Sequence, residues 1–224
     1  MGNWKYKVKI LKKEWLTHDV MRLELERPKN FEFTAGQAIE LTIDEKKYRD
    51  DAAPFTLTGH SSESFLELIL KVYPEHNGIT LGLSMLNRGD TLLIGDAWDS
   101  FQFKEPGIFI AGGTGVTPFV AILRDLESNG GINNQILLFA NKTEKDVFLS
   151  EEFREMEGLK FVSILSQENV VSHCFGRIGK AFLEKQISDY NQMFYLCGPG
   201  SFSVDIKKYL TDMGVEEGNI ISEY

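Results

Sequence analysis

Over the first hundred residues, apolar positions recur at every second residue. Residues 5–11 alternate Lys5, Lys7 and Lys9 with Tyr6, Val8 and Ile10, a strand with one wet face. Similar runs at 20–25, 39–43, 55–57, 65–72 and 91–94 are divided by turn-forming stretches such as Arg27-Pro28-Lys29-Asn30 and Asn87-Arg88-Gly89-Asp90. Short strands at this spacing predict a small antiparallel barrel, interrupted by one short helix over 80–86. After Pro106 the pattern changes to alternating strand and helix. Strands are expected at 108–111, 135–140, 160–165, 193–197 and 219–221, and helices at 118–127, 147–156, 180–187 and 201–213. Repeated strand–helix units build a parallel sheet with helices on both faces. The expected fold class is therefore two-domain: an antiparallel β-barrel over 1–104 and an α/β parallel-sheet domain over 105–224, joined at Lys104-Glu105-Pro106-Gly107.

Composition agrees with this and removes several classes of function. The 224 residues are 42% hydrophobic and 12% aromatic, enough for packed cores and unlike a disordered chain. A net charge of −9 repels nucleic acid. Lysines do cluster at Lys5, Lys7, Lys9, Lys12 and Lys13. They read either as a solvated edge strand guarded against aggregation or as a docking patch for an acidic protein. The two cysteines, Cys174 and Cys197, form no Cys-x-x-Cys pair, which argues against zinc or an iron–sulfur cluster and fits a reduced, cytoplasmic protein. His18, His60, His76 and His173 share no helix face, so no metal site is expected. No transmembrane-length apolar run and no apolar signal core are present; a soluble chain with no membrane partner is expected.

Two glycine turns carry candidate chemistry. Ala111-Gly112-Gly113-Thr114-Gly115-Val116-Thr117-Pro118 follows an apolar strand and opens an amphipathic helix. Glycines let backbone approach a pyrophosphate, and a helix N-terminus presents free N–H groups to it. Pro118 suits a first helical turn, where its missing N–H costs nothing. No lysine follows, so this is not a Walker A loop. The second turn, Cys197-Gly198-Pro199-Gly200, also lies between strand and helix. Ligands of open α/β sheets sit beyond the carboxyl ends of strands, so the two turns would line one crevice. No Gly-x-Ser-x-Gly elbow appears, which weakens a hydrolase reading.

These turns, with further motifs in order along the chain, resemble the ferredoxin–NADP reductase superfamily, including flavodoxin reductases and cytochrome b5 reductase-like modules. Phe33-Thr34-Ala35-Gly36-Gln37 resembles the family's aromatic-x-Pro-Gly-Gln stretch, and Ala53-Pro54-Phe55-Thr56 its Arg-x-Tyr-Ser flavin motif. Gly78-Ile79-Thr80 resembles its flavin-phosphate loop. Residues 95–101 are similar to a degraded Gly-Pro-x-Gly-x-Phe segment, and Glu223-Tyr224 to the Glu-x-aromatic end of several members. The resemblance implies FAD, with FMN less favoured, and NADH or NADPH as co-substrate. Phe55 would lie against the flavin ring and Thr56 would hydrogen-bond near its N5. Gly78, Ile79 and Thr80 would contact flavin phosphate. Gly113, Thr114 and Gly115, with Gly198 and Pro199, would hold the dinucleotide. Cys197 and Glu223 would sit where hydride passes between the rings, and Tyr224 would stack on the flavin and yield to the nicotinamide. Simple C-terminal packing is the plainer reading of Tyr224.

One departure qualifies the resemblance, and the cofactor preference needs separate residues. Ala53 stands where the family has an arginine that pairs with flavin phosphate, and losing that charge-assisted contact predicts weaker or altered flavin binding. Arg49 lies nearby but two strand-spacings off the expected position, which leaves its substitution open. Where NADPH-preferring members place basic residues, this chain has Asn141-Lys142-Thr143 and Ser166-Gln167-Glu168. Lys142 is a candidate cation and Glu168 would repel a phosphate, which favours NADH. The leading reading is a flavin-dependent NAD(P)H oxidoreductase passing electrons to a ferredoxin or flavodoxin, though such carriers are usually acidic and need a local basic patch. The alternatives are a free-flavin or quinone reductase on the same fold, or a non-catalytic nucleotide-binding protein with a decayed flavin site.

Overall fold

The structure, a computed structural model, describes residues 4–48 and 51–222. The chain divides into two compact units, Met1–Phe103 with Thr117–Asp125, and Lys104–Val116 with Leu126–Tyr224.

The first unit contains β1 (Tyr6–Trp15), β2 (Val20–Glu26), β3 (Gln37–Ile43), β4 (Ala53–Thr56), β5 (Phe65–Lys71), helix α1 (Ile79–Met85) and β6 (Thr91–Asp99). The strands are ordered β4-β3-β6-β1-β2-β5, all pairs antiparallel. The two outer strands meet through an antiparallel bridge between Leu57 and Leu68 and a hydrogen bond from Thr58 N–H to the Glu67 carbonyl at 2.9 Å. The sheet is thereby closed into the expected barrel, which leaves no open edge. Alternate residues fill it: Val8, Ile10, Met21, Leu23, Leu25, Ile39, Leu41, Leu66, Leu68, Leu92 and Ile94 are all buried.

Closure corrects one expectation. β1 is not an edge strand: residues 6–9 pair with β6 and residues 10–15 with β2, across an irregularity between Ile10 and Lys12. Three lysines of this stretch have acidic neighbours. Lys5 pairs with Asp96 at 2.9 Å, Lys7 with Asp44 at 2.6 Å, and Lys12 with Glu14 and Glu24 at 3.1 and 3.5 Å. These pairs also explain why β1 and β6 run beyond the expected residues 11 and 94. Charged residues that look like loop in the sequence are cross-strand partners on a wet face.

Most of helix α2 (Thr117–Ser128) belongs to this unit. Phe119 meets Phe101 edge-on at 5.2 Å.

The second unit contains β7 (Gly107–Gly112), β8 (Ile136–Asn141), α3 (Ser150–Glu155), β9 (Lys160–Leu165), β10 (Cys174–Phe175), α4 (Lys180–Gln186), β11 (Met193–Cys197), α5 (Gly200–Asp212) and β12 (Ile220–Ser222). Its sheet runs β10-β9-β8-β7-β11-β12 with all pairs parallel. Every residue of β7 and β11 is buried, as central parallel strands require. Strand order reverses between β7 and β11, which makes the space beyond their carboxyl ends the topological switch point.

Helix α3 is shorter than the expected 147–156. Thr143 and Asp146 form a reciprocal capping box around a single turn, Glu144–Asp146, and that turn ends before residue 147. Phe148 then goes into the core against Phe139, at 5.6 Å edge-on, and Leu149 takes a left-handed φ of 56° that no helix accommodates. Strand β10 was not expected; two exposed residues carry no periodic signal. Among the described residues, no helix is long and apolar enough to cross a membrane.

Candidate functional site

Both glycine turns of the second unit lie at its switch point. Residues Gly113–Val116 form a tight helical turn leading directly into α2. Gly113 has a φ of +54°, and a Cβ there would meet nothing within 4 Å; its backbone is bare and faces open space. Gly115 is different. A Cβ on it would stand 2.5 Å from the Cys197 carbonyl carbon and 2.6 Å from the Gly198 Cα. The two turns therefore touch backbone to backbone, and only hydrogen at residue 115 permits it. Phe202, on the first turn of α5, supports the contact from behind: a Cβ on Gly198 would lie 2.7 Å from its ring, and one on Gly112 3.3 Å. Cys197 is buried at 4% exposure, while Gly198 is half-buried and Pro199, preceding α5, is exposed. Of the dinucleotide residues expected from sequence, Gly113, Thr114, Gly115, Cys197, Gly198 and Pro199 are brought together here.

Lys142 is exposed at the end of β8, its carbonyl accepting from Gln167 N–H at 2.8 Å. Glu168 lies across the same strand ends, where its carboxylate accepts the Glu144 N–H at 2.7 Å. The anchored Glu168 carboxylate thus follows directly on Gln167, whose N–H binds the Lys142 carbonyl.

In the first unit, β4 carries the expected flavin residues. Ala53, Pro54, Phe55 and Thr56 pair with Leu41, Glu40, Ile39 and Ala38. Phe55 is half-buried. Thr56 is 9% exposed, and its hydroxyl has no partner among the described residues. Gly78 caps α1, and the Thr80 hydroxyl accepts the Tyr73 N–H at 3.3 Å. Lys13 donates to the carbonyls of Ser84, at 2.9 Å, and Leu86, neutralising the other end of the same helix. Arg49, Glu223 and Tyr224 lie outside the described residues.

Sequence reasoning missed a buried ionic cluster directly after β4. Glu67, 6% exposed, accepts from Thr58 Oγ1 at 2.7 Å and from Arg124 Nη1 at 2.6 Å through the same oxygen. Arg124 also donates to the Thr58 carbonyl at 2.9 Å, and Arg22 stands 3.9 Å from the second Glu67 oxygen. Burial and the neighbouring Glu67 charge push the Glu63 carboxyl above its usual range. The signal available was Glu67 itself, a carboxylate within Phe65-Leu66-Glu67-Leu68-Ile69, which a buried strand holds only when paired. Also unforeseen was Tyr195. Its hydroxyl donates to the Glu105 carbonyl at 2.7 Å and accepts from Lys104 and Glu105 N–H at 3.1 Å. Burial raises its pKa.

A closed barrel with a half-buried aromatic beside a hydroxyl unpartnered among the described residues, and a parallel sheet with two abutting glycine turns, are the parts expected of an oxidoreductase module for flavin and nicotinamide dinucleotide. Residues 5–87 match the FAD-binding domain family and residues 109–208 the oxidoreductase NAD-binding domain family. The chain therefore carries an FAD-binding and an oxidoreductase NAD-binding domain, the pair that the resemblance to the ferredoxin–NADP reductase superfamily implies.

Relatives and solved structures are consistent with this. The propane 2-monooxygenase reductase component of Rhodococcus jostii (strain RHA1) is 25% identical over 210 residues, covering 86% of this chain and 56% of that protein. NADH-cytochrome b5 reductase 1 of Bos taurus is 28% identical over 195 residues, covering 69% of this chain and 61% of that protein. The chain thus spans less than two thirds of either relative. The FAD/NAD-binding domain of nitric oxide dioxygenase from Vibrio cholerae O1 biovar El Tor superposes with a TM-score of 0.89 at 20% identity, over 99% of this chain and 98% of that one. A ferredoxin NADP+ reductase from Neisseria gonorrhoeae, with bound FAD and NADP, gives 0.82 at 18% identity over 97% of each.

Proposed function

We propose that this chain is an NAD(P)H-dependent flavoprotein reductase that uses FAD and hands electrons to a separate redox protein. The observation that carries the reading is the contact of Gly115 with Cys197 and Gly198 at the switch point, which leaves the bare Gly113 backbone facing open space. A pyrophosphate suits such a cradle, because a bare glycine backbone at the start of a helix admits close approach and offers N–H groups. Gly113, Thr114 and Gly115 bind the dinucleotide, and Gly198 and Pro199 orient its nicotinamide end beside Cys197.

The flavin side fits at the ring. Phe55 offers an apolar face, and the Thr56 hydroxyl can hydrogen-bond the polar edge of a flat heterocycle. The phosphate end departs from the family, since the Ala53 methyl carries no charge; Gly78, Ile79 and Thr80 supply backbone and hydroxyl contacts there. Flavin affinity is accordingly lower than an arginine would give. The chemistry FAD supplies when bound is the conversion of a paired-electron donation into single-electron steps. Any role of Glu223 and Tyr224 rests on the resemblance alone, since both lie outside the described residues.

NADH is the favoured donor, because Glu168 fixes a negative charge directly after the Gln167–Lys142 hydrogen bond, where a 2′-phosphate would need a cation. The acceptor is a one-electron carrier of the ferredoxin, flavodoxin or cytochrome class; the names of the reductase relatives favour a protein acceptor over free flavin or quinone. Ala53 favours one competing reading, a nucleotide-binding protein whose flavin site has decayed. Colour separates them. The purified protein should be yellow, or become so with FAD, and should bleach under nitrogen on addition of NADH. A protein that stays colourless after reconstitution refutes the reductase reading.

A further inference from the structure

We infer that Arg124 and Glu67 are positioning residues for the flavin: through Thr58 they fix the strand segment that presents Phe55 and Thr56. The inference rests on the flavin reading given above. Thr58 follows Thr56 by two residues, is fully buried, and is held at every polar atom it has. Its N–H donates to the Glu67 carbonyl at 2.9 Å, its hydroxyl to the Glu67 carboxylate at 2.7 Å, and its carbonyl accepts from Arg124 at 2.9 Å. Leu57, between them, donates to the Gln37 carbonyl at 3.0 Å.

A barrel alone does not need this arrangement. The backbone bond and the Leu57–Leu68 bridge already close the sheet, and a buried ion pair is often no more stabilising than apolar packing of the same volume. What the pair adds is direction. One Arg124 nitrogen, Nη1, donates to a carbonyl and a carboxylate at once, which holds the strand at two points rather than one. A ring-binding residue must be held within about 0.5 Å of its working position by such support. Arg22, itself joined to Glu14 at 2.7 Å, stands 3.9 Å from the second Glu67 oxygen and places a positive charge on its other side.

The test uses the FAD-loaded protein. Arg124→Gln and Thr58→Val should each weaken FAD binding at least five-fold and shift the visible flavin band, measured well below the melting temperature. The double variant should lose no more than the worse single, since both act through one carbonyl and one hydroxyl. Thr58→Ser, which keeps the hydroxyl, should recover wild-type affinity, and KM for NADH should stay unchanged throughout. If Arg124→Gln fails to fold, the Thr58 pair decides alone. Variants that fold and bind FAD with wild-type affinity and spectrum overturn the inference while leaving the reductase reading intact. A wild-type protein that takes up no flavin removes both.

Discussion

Replacing Gly115 with alanine tests the dinucleotide site most directly, because the structure gives the size of the disturbance. The added methyl would stand 2.5 Å from the Cys197 carbonyl carbon, whereas ordinary contact begins at 3.4 Å. Both neighbours are backbone, so no side-chain rotation relieves the clash. The turns must part by roughly 0.9 Å, and a displacement near 1 Å at a reacting geometry costs on the order of 100-fold in rate. Gly115→Ala should therefore reduce flavin bleaching by NADH about 100-fold in stopped flow. FAD content should not change, because Gly115 lies in the second unit and β4 in the first. Gly113→Ala provides the contrast: its Cβ meets nothing, and the cost is the left-handed φ of +54°, about 1 kcal/mol of stability. Gly179→Ala, with open space and an ordinary φ, should be silent in both assays. A folded Gly115→Ala protein reducing its flavin within three-fold of wild type would show that the turn contact has no part in hydride delivery.

Other substitutions probe separate features. Glu63 is held above its ordinary pKa by burial and by Glu67, so the folded state favours its protonated form. That stability is present below the unfolded value, about 4.3, and is lost as pH rises through the folded value. Glu63→Gln should thus melt higher than wild type at pH 7, with the gap closing below pH 4; a gap that widens in acid contradicts the assignment. Tyr195→Phe removes three bonds to the Lys104–Glu105 backbone and should cost about 1–3 kcal/mol in urea unfolding for the groups left unpaired. Glu168→Arg exchanges a repelling charge for a pairing one and should raise the NADPH-to-NADH ratio of kcat/KM about ten-fold or more, the worth of one charge-assisted hydrogen bond; an unchanged ratio places 2′-phosphate discrimination elsewhere.

Much of the architecture was legible because it rests on local periodicity. β9 and β11 begin and end where apolar runs do, and the barrel strands follow the period of two. The deviations share one cause: partners distant in sequence. β1 continues to Trp15 because Arg22 and Glu24 meet Glu14 and Lys12 across the sheet. α3 starts at residue 150 because Asp146 closes a turn on Thr143. That last pair was written in the sequence as a Thr-x-x-Asp spacing, but the apolar residues after it, Val147 to Leu149, looked like the first turn of the helix.

The candidate sites divide along the same line. Glycine turns are legible because their chemistry is main-chain chemistry: the spacing itself states where backbone must come close, and Gly115 does press on the Cys197 turn. Flavin residues on β4 are legible only through resemblance, since Phe55 and Thr56 would suit any half-buried strand. Only Glu67 hinted at the support behind them. Thr58, Glu67 and Arg124 are ordinary residues in their own segments, and Arg124 lies 57 positions from Glu67. A carboxylate on a strand buried along both faces is the one clue a sequence offers, because burial without a partner would cost more than the strand could return. Such a residue announces that a counter-charge exists; only the closing of the barrel and the path of α2 determine which.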